Sequence, residues 1–168
     1  MNNIEVKIVK LEPMRMAVAH GFGESPESEA WGKIVAFLKA QGKLADLGSL
    51  RFFGFNNPNP APGSPNYGYD QWVKVEHDTE PTDDVKMLDF PGGSFAATSF
   101  TGLSKIGDVW GQLVRWHEDS CYKKPPNYYQ CLEEITNIGV FISPEGQLDE
   151  TEQTMEKLDF TLYLPIAE

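Results

Sequence analysis

The sequence predicts an α+β fold in which one strand–helix–strand–strand module occurs twice about a pseudo-twofold axis. Three observations lead to this prediction. The segment WGKIVAF at 31–37 returns 79 residues later as WGQLVRW at 110–116. At the same offset Ala17 falls on Ala96. Alternating apolar and polar residues, which are typical of half-buried strands, flank both copies.

The first module is expected over residues of about 4–77. A strand is predicted in IEVKIVKLEP, and the extended chain continues after Pro13 in MRMAVAHGFG. A helix is predicted in SPESEAWGKIVAFLKAQG, with Ser25 as N-cap, Pro26 at the first helical position and Gly42 at the end. Two further strands are predicted in LRFFGF and YDQWVKVEH, on either side of the turn-rich NNPNPAPGSPNYG.

The second module, over about 85–166, repeats this order. An extended region with a Pro-Gly-Gly break is predicted in VKMLDFPGGSFAATSFTG, and a helix with Ser104 as its cap in LSKIGDVWGQLVRWHEDS. Strands are predicted in PPNYYQCLEEITNIGVFI and LDFTLYLPI. We expect residues 1–168 to form one domain, a mostly antiparallel sheet with both helices on one face. The seam between the modules is the natural place for a pocket.

Two glycines occupy interior positions of the predicted helices. Gly32 and Gly111 are equivalent in the repeat, and each costs about 1 kcal/mol relative to alanine. The same cost at both positions predicts that the sheet or a ligand closely approaches each helix at its glycine. Packing of helix on sheet is favoured over contact with a ligand.

Composition limits the class of protein. The 168 residues are 40% hydrophobic and 12% aromatic, which suits a packed core. No run approaches the roughly 18 apolar residues of a membrane span, and Met1–Leu11 is charged where a signal peptide is apolar. The expected location is therefore the cytoplasm, with no membrane association.

The net charge of −11 lies entirely in the second part of the chain. Residues 1–77 carry eight acidic and eight basic side chains, whereas residues 78–168 carry seventeen and six. Proteins that bind nucleic acids concentrate Lys and Arg on one face. The charge pattern therefore predicts no direct nucleic-acid binding and favours a cationic or neutral partner.

Motifs for common enzyme chemistries are absent from the sequence, including GxSxG, Walker, GxGxxG and HExxH. His117 and Cys121 stand four residues apart near a helix end, but two ligands do not make a zinc site. Cys121 and Cys131 follow no disulfide or CxxC pattern. No metal and no cofactor are expected, and Pro91–Gly93 is interpreted as a bend rather than a phosphate cradle.

Aromatic residues are concentrated on elements that should meet at the seam. Most are expected in the core, Trp31, Phe37 and Trp116 in particular. Tyr69 and Trp72 border the long Pro/Asn/Gly loop, which could form a rim. The remaining candidates are Phe53, Phe55, Trp110, Tyr128, Tyr129 and Tyr163.

The segment CLEEI contains the most informative single residue. Alternation places Cys131, Glu133 and Ile135 on one strand face and Leu132 and Glu134 on the other. One of the two glutamates therefore points toward the apolar side. A buried carboxylate is costly and often marks a functional site, although a salt bridge or an exposed edge explains the pattern equally well.

Several motifs together resemble the GyrI-like small-molecule-binding family, the effector-binding domain of AraC-type and multidrug-sensing bacterial regulators. The resemblance covers essentially the whole chain. It implies a duplicated module whose pseudo-symmetric groove binds hydrophobic, often cationic drugs. The motifs are AHGFG and SFTG at strand ends, GFNNPNP followed by YGYDQWVKV, FPGGSFA, PPNYYQCLEE and DFTLYLPI.

The same resemblance implies the binding residues. Glu133 matches the glutamate that faces the groove, Tyr69 and Trp72 match the aromatic strand, and Tyr163 matches the aromatic residue before Pro165. Many relatives have Glu-x-Tyr where this chain has Glu133-Glu134-Ile135, so one tyrosine contact is missing. The candidate ligand-binding residues are Glu133, Trp72, Tyr69, Trp110, Phe55 and Tyr163. Ring faces contribute about 0.5–2 kcal/mol each to binding a lipophilic cation.

The leading hypothesis is a stand-alone effector-binding module that sequesters or senses a lipophilic cation, because no residues remain for a helix-turn-helix domain. A second hypothesis is a hydrolase of reactive electrophiles such as cyclopropane-containing natural products, with Glu133 activating water. A third is a protein-interaction role, with gyrase or a transcription regulator as partner. Binding is favoured over catalysis because the sequence has no nucleophile motif.

Overall fold

The computed structural model of the chain describes residues 4–168 and shows an eight-stranded antiparallel sheet with two long helices. This confirms the predicted α+β class and the order of the duplicated module. The elements are β1 (Lys7–Leu11), β2 (Met14–Gly23), α1 (Pro26–Ala40), β3 (Phe52–Asn56), β4 (Tyr67–Lys74), β5 (Lys86–Phe90), β6 (Gly93–Thr101), α2 (Ile106–Asp119), β7 (Leu132–Ile135), the short α3 (Glu152–Met155) and β8 (Asp159–Pro165).

The strand order makes the pseudo-twofold axis visible. The sheet runs β1-β6-β8-β7-β3-β4-β2-β5, so equivalent strands of the two modules follow in the same order from either end. At the centre β3 pairs with β7, and Gly54 lies opposite Glu133. These two residues are also 79 apart in sequence, which is the offset of the repeat. The axis therefore passes through the Gly54–Glu133 pair.

The two modules exchange their first strands, which the sequence analysis did not predict. Strand β1 pairs with β6 of the second module, and β5 pairs with β2 of the first. Only two residues connect β1 to β2 and β5 to β6, although these strands lie at opposite ends of the sheet. The sheet must therefore curl until its ends meet. At that junction a Cβ on Gly92 would lie 2.5 Å from the Leu11 carbonyl oxygen.

The curled sheet separates two kinds of core. Helix α1 packs on β2 and β4, and α2 packs on β6 and β8, both on the same sheet face. The opposite face is filled by side chains of the sheet itself, mostly aromatic. Its buried members include Phe53, Phe55, Trp72, Phe90, Phe95 and Tyr163. The space between the two helices lies over the β3–β7 seam.

Local sequence signals account for the ends of the first helix but not for the second. Helix α1 begins at Pro26 with Ser25 at the predicted N-cap position, but the Ser25 side chain makes no capping hydrogen bond. The chain turns at Gly42 with φ of 69°. Helix α2 begins at Ile106, preceded by a 3₁₀ turn at Leu103–Lys105. The prediction that Ser104 caps α2 is wrong. Its backbone N–H donates to the Glu156 carboxylate at 2.9 Å, and its hydroxyl donates to the same group.

The prediction of close approach at the helix glycines is also wrong. Gly32 is exposed, and an added Cβ would have no neighbour within 4 Å. A Cβ on Gly111 would meet only the Arg115 guanidinium, at 3.4 Å. Neither glycine is therefore required for close packing of its helix on the sheet.

Two further findings concern classes of site. Within residues 4–168 no helix is long and apolar enough to cross a membrane. In the same part of the chain no three His, Cys, Asp or Glu side chains are grouped so as to hold a metal ion. Cys121 and Cys131 are both free thiols.

Candidate functional site

A cleft opens between α1 and α2 over the pseudo-twofold axis. We call its deeper part, a space of about 330 Å³, the inner cavity. Its walls are mostly apolar and aromatic, and three carboxylates border it. The lining residues are Glu27, Trp31, Asn56, Tyr69, Leu103, Ile106, Glu133, Ile135, Phe141, Glu150, Met155, Leu158 and Phe160.

The Glu133 carboxylate is held by two neutral donors from different elements. The Tyr69 hydroxyl of β4 donates to Oε1 at 3.1 Å, and the Trp110 indole of α2 donates to Oε2 at 2.8 Å. Tyr69 reaches Glu133 by crossing β3 at Gly54, where an added Cβ would lie 2.2 Å from the Tyr69 oxygen. Glycine at this position is what leaves room for the ring.

Burial sets the charge behaviour of this group. It raises the pKa of Glu133 above its usual 4.5, and the nearby Glu27 carboxylate raises it further, while the bonds from Trp110 and Tyr69 act in the opposite direction. Burial also raises the pKa of Tyr69 well above 10, so its hydroxyl remains a neutral donor. The two hydrogen bonds therefore partly stabilise the ionised form of Glu133, but they bring no positive charge to balance it.

The neighbouring glutamate has a different environment. Glu134 points to the opposite sheet face, is 5% exposed, and accepts two bonds from Arg51, from Nε at 2.8 Å and from Nη2 at 2.9 Å. The Tyr163 hydroxyl donates to it at 2.6 Å. No Lys or Arg of residues 4–168 forms an ion pair with Glu133. Of the two adjacent carboxylates, only Glu134 has a cationic partner.

A second space adjoins Glu133 on the α2 side. This outer cavity measures about 530 Å³ and is more open than the inner one. Glu133 and Asn56 line both cavities, so the carboxylate lies where they meet. The other lining residues are Phe55, Asn59, Trp110, Val114, Tyr129, Gln130 and Cys131.

The structure brings some of the candidate residues together and not others. Glu133, Tyr69 and Trp110 are hydrogen-bonded at the cleft, and Phe55 lines the outer cavity. Trp72 and Tyr163 lie in the core on the other sheet face.

The strand period explains this separation. Tyr69 and Trp72 are three residues apart on β4, and side chains alternate between faces with a period of two. Trp72 therefore packs edge-on against Phe55 with ring centroids 5.1 Å apart. The Tyr163 ring packs against Phe53 at 5.9 Å, away from the cleft.

Most residues that line the inner cavity were not among the candidates predicted from the sequence. Trp31 is a core residue as predicted, 5% exposed and packed on Phe52 and Phe141, but it also lines the cavity. Its repeat equivalent is Trp110. The two tryptophans thus flank the axis from α1 and α2, and the repeat itself was the signal that related them. Glu27 lies in the first turn of α1 and Glu150 just before α3, and neither was among the candidate residues.

Replacing Gly54 by alanine is expected to raise the pKa of Glu133 further. The new methyl group displaces the end of the Tyr69 side chain, so the carboxylate loses a donor that lowers its pKa. Tyr69→Phe should also raise the pKa of Glu133, because it removes the hydroxyl donor without moving the ring. The measurement is a ¹³C NMR titration of the Glu133 carboxyl. Gly48→Ala, which meets no atom within 4 Å, is the control; an unchanged Glu133 pKa in both test variants would contradict the positioning role of Gly54.

Comparison with solved structures places the fold. The C-terminal domain of EcmrR superposes with a TM-score of 0.65 at 8% identity, covering 99% of each chain. A hydrolase from Listeria innocua gives 0.62 at 12% identity, covering 97% of this chain and 92% of its own. The integron cassette protein VCH_CASS2 of Vibrio cholerae gives 0.52 at 10%, covering 98% and 99%. The chain spans 59% of the EcmrR chain solved with DNA.

Comparison at the level of sequence identifies the family. No curated protein matches the sequence. The family model for Cass2, the integron-associated effector binding protein, matches residues 7–166. This match confirms the GyrI-like resemblance over nearly the whole chain. The protein belongs to the integron-associated effector-binding family, and its function in general terms is to bind small molecules.

Proposed function

We propose that the cleft binds a hydrophobic cation and that Glu133 supplies its counter-charge. The observation that carries the proposal is the pairing of Glu133 with two neutral donors, Tyr69 and Trp110, and no cation. A carboxylate in such a place has a raised pKa because it lacks water and a counter-ion. A ligand that carries a positive charge would supply the missing counter-ion.

The walls of the inner cavity suit the rest of such a ligand. Trp31, Phe141 and Phe160 contribute aromatic surface, and Ile106 and Leu158 contribute aliphatic surface. The volume of about 330 Å³ lies at the lower end of the range for small-molecule sites. Apolar walls with one charged group are typical of such sites, and ring faces attract cations.

Charge also argues against other ligand classes. Along the described chain no Lys, Arg or His lines the inner cavity, whereas Glu27, Glu133 and Glu150 do. An anion would meet three carboxylates and no basic side chain among the described residues that line the cavity. A neutral apolar ligand would leave Glu133 desolvated and unpaired, which is the costly state.

The test compares two ions of one shape and opposite charge, tetraphenylphosphonium and tetraphenylborate. Wild type should bind the phosphonium and not the borate in isothermal titration calorimetry. Glu133→Gln keeps both hydrogen bonds possible but removes the charge, so phosphonium affinity should fall by about 10- to 30-fold, or about 1.4–2 kcal/mol. Quenching of Trp31 and Trp110 fluorescence gives an independent measure.

The control is Glu118→Gln, which makes the same charge change on the exposed end of α2. It should leave the affinity within about twofold, because surface charges are screened. Equal phosphonium affinity in wild type and Glu133→Gln would remove the proposed role of the carboxylate. Equal binding of both ions would exclude charge selection altogether.

Hydrolysis is the second candidate, favoured by the same buried carboxyl. A buried carboxyl group with a raised pKa is suited to act as a general base that activates water. The Listeria innocua hydrolase shares the fold. Turnover of a cyclopropane-containing electrophile, followed by mass spectrometry and lost in Glu133→Gln, would support this function over binding alone.

Signalling from the occupied site requires a partner. EcmrR was solved in a complex with DNA, and it has a longer chain than this one. Residues 78–168 carry seventeen acidic and six basic side chains, which disfavours direct contact with DNA. We therefore place the readout of ligand binding in a protein partner such as a transcription regulator.

A further inference from the structure

Two tyrosine–glutamate pairs lie side by side along β4. Tyr69 donates to Glu133 at the floor of the cleft, and Tyr67 donates to both oxygens of Glu27 at 2.7 Å. Residues two apart on a strand share a face and are about 7 Å apart. The two pairs therefore point toward the same cleft, one behind the other, from a rigid strand.

Neither carboxylate is neutralised by its tyrosine. Burial raises the pKa of Tyr67 to about 12, so its hydroxyl stays protonated and acts as a neutral donor to Glu27. Burial is the main cause of the raised pKa of Glu133 and of Tyr69, and the nearby Glu27 charge raises both further. Both line the inner cavity.

A third carboxylate adds to the same side of the cleft. Glu150 lines the inner cavity and accepts a hydrogen bond of 2.7 Å from the Ser28 hydroxyl of α1. Within the described residues, no basic side chain lines this space. The inner cavity is thus lined by three carboxylates, of which Glu150 is exposed to solvent.

We propose that the preferred ligand class is a compact aromatic dication. Its two positive groups would be about 7 Å apart, which is the spacing of residues two apart on a strand and is spanned by a p-xylylene unit. One group would lie against Glu133 and the other against Glu27, with Glu150 beside the second. The inference rests on the proposed cation-binding function and goes beyond it in specifying two charges and their spacing. Glu27 then determines specificity, while Glu133 provides the first contact.

The geometry explains why both charges matter. A monocation at Glu133 brings no second positive charge to the Glu27 carboxylate, which lines the same cavity. A second positive group held by a rigid spacer reaches Glu27 without a further loss of translational freedom, so its contact adds to the first at little entropic cost. The spacing, rather than charge alone, should therefore select the ligand.

The experiment compares p-xylylene-bis(trimethylammonium) with 4-methylbenzyltrimethylammonium by calorimetry at constant ionic strength. The dication should bind wild type about 10-fold more tightly, a difference of about 1.4 kcal/mol. In Glu27→Gln this advantage should shrink to about twofold, the statistical factor for two equivalent ends. The monocation should lose much less affinity in the same variant.

Glu29→Gln is the matched control on α1. Glu29 bonds to the Lys33 ammonium at 2.9 Å and to the Phe22 N–H at 3.2 Å and does not line the cavity. It should leave the dication advantage at about 10-fold. A more flexible hexamethylene-bis(trimethylammonium) should bind less tightly than the xylylene compound, because its charges are farther apart.

The outcomes separate the two proposals. If tetraphenylphosphonium binds in a Glu133-dependent way but the dication has no advantage over its monocation, the dication inference is overturned and the binding function stands. An advantage that survives Glu27→Gln also overturns it. If neither the phosphonium nor the dication binds, both proposals are wrong.

Discussion

Replacing Arg51 by methionine is expected to lower the free energy of unfolding by about 2–3 kcal/mol. The variant leaves the Glu134 carboxylate, 5% exposed, without its cation and with only the Tyr163 hydroxyl as donor. Breaking a buried ion pair from one side costs about 3–5 kcal/mol, because an uncompensated charge remains. The Arg51 side chain is 39% exposed, so solvent screening brings the expected cost below that range. Urea denaturation at neutral pH measures the effect.

The double variant Arg51→Met with Glu134→Gln tests the cause. Glutamine still accepts from Tyr163 but carries no charge, so at least half of the lost stability should return. Asp89→Asn is the control for a surface pair. Its carboxylate is 86% exposed and 3.6 Å from Arg15, and its loss should change stability by less than about 0.5 kcal/mol. A double variant as unstable as Arg51→Met alone would show that Arg51 acts through packing on Phe53 instead.

The two adjacent glutamates of β7 have opposite electrostatic environments. Glu134 faces the core of the curled sheet and is matched by Arg51 within the fold. Glu133 faces the cleft and is matched only by neutral donors. A charge that is compensated inside the protein contributes to stability. A charge that is left uncompensated is available to a ligand, and its cost is carried by the empty protein.

Much of the fold could be predicted because its signals are local. Periods of two and 3.6 residues, together with Pro26 and Gly42, determine the main strands and α1. The exchange of β1 and β5 could not be seen in this way, because pairing between strands some 80 residues apart leaves no local pattern. The short connections at Glu12–Pro13 and Pro91–Gly92 were visible, but their meaning depends on the strand order.

Of the candidate site, Glu133 was predicted from the sequence, but most of the residues that line the inner cavity were not. Glu133 could be found because two glutamates interrupt a strand where one face must be apolar. Trp72 was expected at the cleft, but the strand period places it on the other face of the sheet from Tyr69, where it packs on Phe55. Glu27 and Glu150 reach the cavity from α1 and from a loop that are 123 residues apart in sequence. Only the three-dimensional arrangement relates them to Glu133.

Glu133→Gln is expected to make the empty protein more stable at neutral pH. The pKa of Glu133 is raised in the folded state, so the folded protein holds this proton more tightly than the unfolded chain. The stabilisation from the protonated form is complete below the unfolded value of 4.5 and is lost as the pH rises through the folded pKa. Wild type and variant should therefore unfold with similar free energies near pH 4, with the variant more stable at pH 7.

Cation affinity should change with pH in the opposite sense. A cation binds the ionised form of Glu133, so the affinity of wild type for tetraphenylphosphonium should fall by up to tenfold per pH unit below the pKa of the empty site. Glu133→Gln should show a weak and nearly flat affinity over the same range. The difference in stability between wild type and Glu133→Gln and the cation affinity of wild type must both change around one pKa, because both depend on the protonation of Glu133. Calorimetric titrations and urea denaturation from pH 4 to 8 measure both, and two different turning points would mean that Glu27 or another group, rather than Glu133, governs binding. Agreement would show that the charge which destabilises the empty cleft is the one that holds the ligand.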